Sequence, residues 1–78
     1  MPTRKFPDPD AARIGARLRD MRLERRISLN TVEAACGISK GHLSSIERGL
    51  AVMNVLTLVK ITTALSVHVA DVFREDQG

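Results

Sequence analysis

From Asp10 onward the apolar positions recur at helical spacing. Ile14, Leu18 and Met21, with Arg25 next in register, follow at intervals of four, three and four, and arginines and aspartates fill the other faces. The pattern predicts an amphipathic helix ending near Arg25 or Arg26. Ser28 is a good N-cap for a second, shorter helix over Leu29 to Cys36, with Val32, Ala35 and Cys36 inward. Gly37 can take the left-handed conformation that stops it, and Ile38 plugs the turn. Ser39 opens a third helix from Lys40 to about Arg48, burying Leu43 and Ile46, and Gly49 ends it. Asn54 caps a fourth helix reaching Leu65, with Val55, Leu58, Val59 and Leu65 on one face. A last short helix runs from Val69 to Phe73. No segment alternates with the period of two that marks a strand, so the fold class expected is all-α, five helices joined by tight turns.

The ends differ from this body. Pro2, Pro7 and Pro9 make residues 1–9 an extended or disordered arm, and residues 74–78 are a polar tail. The arm reads either as a solvated tail or as a basic extension using Arg4 and Lys5. Residues 10–73 form the single domain that 78 residues allow. A chain this short buries about 60% of the surface its unfolded form exposes, which leaves little room for a preformed substrate cleft. Apolar residues are 44% of the chain and charged residues 27%, a globular balance. The only aromatic side chains are Phe6 and Phe73, so the core must be aliphatic and nucleobase stacking has no material. The longest apolar run is Leu50-Ala51-Val52-Met53, far short of a bilayer span, and no secretory leader is recognisable. A cytoplasmic protein with no membrane partner is expected.

Charge is unevenly placed. The net charge is +3, but residues 1–48 hold ten Lys/Arg against six Asp/Glu, and residues 49–78 hold two against three. A polyanion would be drawn to the first part of the chain. Catalysis has poor raw material. Cys36 falls on an apolar face, where a thiol behaves as a small hydrophobe rather than as a nucleophile for His42 or His68. One Cys and two His without paired spacing do not make a zinc site. No enzyme activity, cofactor, metal or small-molecule substrate is expected, and His68 reads as a cap for the last helix.

Two short helices around a Gly-containing turn, Leu29 to Arg48, have the shape of a helix-turn-helix unit. In such a unit the second helix enters the major groove. Its start attracts phosphate, its outer face needs short polar or basic side chains, and its inner face must be apolar. Ser39, Lys40, His42, Ser45 and Arg48 meet the second demand, and Leu43 with Ile46 the third.

These residues carry a resemblance. Ile14-Gly15-Ala16-Arg17-Leu18-Arg19 with Arg22, Ile27-Ser28 with Val32, Gly37-Ile38-Ser39, Leu43-Ser44-Ser45-Ile46-Glu47-Arg48-Gly49 and Leu58 to Leu65 with Val67 together resemble the Xre/Cro/C1-type helix-turn-helix family of lambda-repressor-like domains. The likeness covers residues 13 to 73. It implies a sequence-specific regulator of transcription that binds double-stranded DNA at a pseudo-palindromic operator as a homodimer. Restriction–modification controllers, antitoxins and phage or plasmid repressors have stand-alone domains of this size. By the same likeness Lys40, Gly41, His42 and Ser45 stand where bases are read. Ser28, Ser39 and Arg48 stand among the other DNA contacts, and Arg22 and Glu47 where a structural salt bridge sets the helix angle. Val67, Val69, Val72 and Phe73 stand where subunits often meet, although Phe73 could instead close the core of one subunit.

Three departures bear on affinity. Leu29 replaces the family's phosphate-touching Gln, Glu33 replaces a small Ala, and Leu50 to Val55 replaces a basic, Pro-containing segment. That last stretch is either a satellite of the core or a protein interface. The rival reading is accordingly a protein–protein adaptor on the same fold, with little DNA binding.

Overall fold

The computed structural model describes residues 8–74. Arg4 and Lys5 of the arm and residues 75–78 of the tail lie outside the described residues. Five helices follow in order, α1 (Pro9–Glu24), α2 (Leu29–Cys36), α3 (Lys40–Glu47), α4 (Val55–Leu65) and α5 (Val69–Phe73), with no strand among the described residues.

The helix ends follow from side-chain caps. Asp8 Oδ1 accepts the amides of Asp10 at 2.8 Å and Ala11 at 3.3 Å, with Pro9 in the first turn. Helix α1 thus begins at Pro9, within the stretch expected to be extended, because a proline at the first helical position loses no hydrogen bond. Ser28 Oγ accepts from Thr31, Ser39 Oγ from His42 and Asn54 Oδ1 from Thr57, each closing one orphan donor. Gly37 (φ 80°) and Gly49 (φ 76°) supply the left-handed stops after α2 and α3. Arg26 and Ser66 take the same conformation after α1 and α4 without being glycine. At the last helix the His68 amide donates to the Asp71 carboxylate at 3.3 Å.

One aliphatic core joins all five helices. Leu18, Met21, Val32, Leu43, Ile46, Leu58, Ile61, Leu65 and Val72 are buried, and Ile14, Ile27, Leu29, Cys36, Ile38 and Val67 pack around them. Helix α1 lies against α3, α4 and α5, while α2 bridges α3 and α4. The buried Thr62 hydroxyl donates to the carbonyls of Leu58 and Val59, so it adds no unpaired polar atom.

Three side chains point the other way from their expected faces. Ala35 is exposed, while Val32 and Cys36 face inward. Val55 and Val59 are solvent-facing, and Ile61 and Thr62 take their places against the core. In α4 apolar residues occur almost all round the helix, so periodicity could not choose the buried side. The segment before α4 splits in two. Ala51 and Met53 pack on the core, while Leu50 and Val52 stand outside.

Candidate nucleic-acid interface

Helix α3 is held from behind along its length. Leu43 and Ile46 are buried to 2% and 0% exposure, which fixes its inner face. At its C-terminal end the Arg22 guanidinium grips Glu47 with two bonds, Nε to Oε2 at 2.7 Å and NH2 to Oε1 at 3.0 Å. A third bond, NH1 to the Ile27 carbonyl at 2.8 Å, ties the same side chain to the turn before α2. Both side chains are only 10% exposed. The pair is bidentate and mostly buried, an arrangement in which an arginine–carboxylate bond is strong. Hydrogen bonding to Glu47 raises the Arg22 pKa above its ordinary value despite the opposing effect of desolvation. Nearby, Gly15 lets α1 cross α3 at contact distance, since a side chain there would overlap the Ile46 carbonyl. Gly49 makes a similar approach to Ala12.

The outer side of α3 is open to solvent. Ser39, Lys40, Gly41, His42 and Arg48 are exposed, and Ser45 is half-buried beside them. They form one surface at the start and along one side of the helix. Nothing lies within 4 Å of where a Gly41 side chain would begin. Ser28 is exposed at the start of α2, its hydroxyl 2.9 Å from that of Thr31. Leu29 turns its side chain to the core, which explains an apolar residue in this otherwise polar first turn. Glu33 reaches across from α2, and its Oε2 accepts the Lys40 amide at 3.2 Å. That contact was not legible in the sequence, where seven residues and a turn separate the two.

The arginines of α1 and the turn after it are less available to a polyanion than their number suggests. Arg22 is the clamp. Arg17 donates to the Asp71 carbonyl at 3.3 Å, joining α1 to α5, and Arg13 pairs with Asp10 at 3.2 Å. Arg25 reaches back to the Met21 carbonyl. Arg19 and Arg26 make no ion pair among the described residues.

The residues assigned to a subunit interface separate into two groups. Val72 is a core residue, 5% exposed, and Val67 is partly buried against the core, so neither offers much surface to a second chain. Val69 and Phe73, four apart on α5, face outward at 37% and 57% exposure. Phe73 therefore does not close the core. A groove of about 440 Å³ runs between α1 and α5, and none of its lining residues belongs to α2 or α3. Cys36 packs against the core. Among the described residues no cluster of three His, Cys, Asp or Glu could hold a metal ion, and no helix is long and apolar enough to cross a membrane.

Known proteins share this arrangement. The restriction-modification controller protein C.AhdI from Aeromonas hydrophila superposes with a TM-score of 0.81 at 26% identity, over 85% of this chain and 100% of that one. The clp gene regulator ClgR from C. glutamicum gives 0.78 at 33% identity, over 81% and 82%. SinR, a master regulator for biofilm formation solved in complex with DNA, gives 0.71 at 34% identity, over 78% and 98%. No curated protein matches the chain at a significant level. The helix-turn-helix domain profile matches residues 13–73, which include all of α2 to α5 and most of α1. With that match over most of its length, and with α3 mounted as such a fold requires, the chain belongs to the helix-turn-helix domain family.

Proposed function

We propose that the chain is a transcriptional regulator that binds double-stranded DNA sequence-specifically and acts as a homodimer on a pseudo-palindromic operator. The observation that carries this reading is the mounting of α3, whose Lys40–Gly41–His42 surface is exposed while Leu43, Ile46 and Glu47 anchor it from behind. The similarity to SinR, which binds DNA, supports it. Lys40 donates to guanine O6 or N7, His42 contacts a neighbouring base edge, and Gly41 lets the duplex come close. Ser39, Ser45 and Arg48 flank them, and Ser28 contacts the backbone from the start of α2. One helix spans too few base pairs for discrimination within a genome, so two copies read two half-sites about 34 Å apart or a multiple of it. Val69 and Phe73 are the apolar surface through which the copies meet.

Selection of bound sequences from random duplexes, followed by anisotropy titration at several salt concentrations, tests the proposal. A twofold-symmetric selected site and affinity that falls steeply with salt are expected. Absence of duplex binding at low salt overturns it. In that case the adaptor reading takes over, and one observation favours it: Leu50, Val52, Val55, Leu56 and Val59 form an exposed apolar stretch directly after α3.

A further inference from the structure

We infer that Glu33 is an affinity-limiting residue of this interface: its carboxylate holds the first amide of α3 and keeps backbone phosphates off that helix end. The inference rests on the DNA-binding reading above. Glu33 is the single charged residue of α2, and its Oε2 lies 3.2 Å from the Lys40 nitrogen. Among the described residues no Lys, Arg or His nitrogen comes within ion-pair distance of it, so its charge is uncompensated at that point.

The start of a helix carries roughly half a positive charge and exposed amides, and is an anion site by construction. Here the chain supplies its own anion. Because Glu33 is tethered on the neighbouring helix, it competes at a high effective concentration. A phosphate approaching Ser39 and Lys40 must displace the carboxylate or sit beside a like charge. Both alternatives weaken binding to every duplex alike, since backbone contacts carry no sequence information. Discrimination is left to the side chains of Lys40 and His42. The carboxylate also stabilises α3 in the absence of DNA, which accounts for its place there without a cation partner.

Glu33→Gln separates the charge from the hydrogen bond, because the amide oxygen still accepts from Lys40. Titrations of wild type and variant would use a selected operator and an unrelated duplex of equal length. The variant should bind both about five- to tenfold more tightly near 0.1 M salt, with the gap narrowing as salt rises. Its log affinity should fall more steeply with log salt, by about one unit. Its melting temperature should fall only slightly, because the attraction between charge and helix dipole is lost while the hydrogen bond to the Lys40 amide stays. Glu33→Ala, which also removes the acceptor, should tighten binding in the same direction with a lower melting temperature, and it carries the test if the glutamine variant folds poorly. Unchanged affinity for both duplexes overturns the inference. So does weakening confined to the operator, which would make Glu33 a base-reading residue accepting from cytosine N4. A wild type that binds no duplex removes the DNA-binding reading itself, a result distinct from either of these.

Discussion

A methyl group at Gly15 would overlap the Ile46 carbonyl, whereas one at Gly41 would meet nothing within 4 Å. The two glycines therefore answer to different constraints. Gly15→Ala should destabilise the domain by about 2–3 kcal/mol, because helix backbones must separate to admit the side chain. Gly41→Ala should leave the denaturation midpoint unchanged or raise stability by up to about 1 kcal/mol, since alanine is the better helix former. If a duplex lies against that position, the same variant should bind it about tenfold more weakly, and equal binding would remove the reason proposed for glycine there. Arg22→Ala should cost about 3–5 kcal/mol in urea denaturation, because Glu47 is left in a nearly dry site without its partner. The double variant Arg22→Met/Glu47→Leu should recover much of that loss. Ser66 sits at φ 60° as a non-glycine residue, so Ser66→Gly should raise stability in urea denaturation by up to about 1 kcal/mol.

At the scale of elements, the helices were legible because their punctuation is chemical. Ser28, Ser39 and Asn54 each accept the amide three residues on, as their position before an apolar-periodic run implied. The facing of α4 was not legible. Its sequence, Val55 to Leu65, is apolar on nearly every side, and only packing against α1, α2 and α5 decided that Leu58, Ile61 and Leu65 go in while Val55 and Val59 stay out. Ala35 was illegible for the opposite reason: a methyl group is too small to steer a helix. The difference is measurable. Leu58→Ala should cost about 2–5 kcal/mol, and Val55→Thr less than about 0.5 kcal/mol. The pattern of the third helix, with Leu43 and Ile46 inward, left Lys40, His42 and Arg48 for its outer side, and all three are exposed. The partner of Glu33 could not be read, because a contact between two helices depends on the angle of the turn between them.

The whole molecule is a small aliphatic body with little stability in reserve, so substitutions at the Arg22 clamp should bring it close to unfolding at ordinary temperatures. Its association should be separable from its folding. Phe73 is 57% exposed and Val72 5%, so Phe73→Asp should lower the dimer population in sedimentation equilibrium while the monomer still melts cooperatively. Loss of helicity in that variant would show instead that Phe73 supports the subunit. Lys40 and His42 are exposed and Gly41 has no side chain: among the described residues the hydrogen bonds at this end of α3 are made by the main-chain amides of Lys40 and His42, and neither side chain makes one. Vocabulary and grammar are therefore kept apart in this chain. New letters can be written at three consecutive positions, by mutation drift or by library selection, without renegotiating the frame that presents them, so target preference should prove far easier to change than shape.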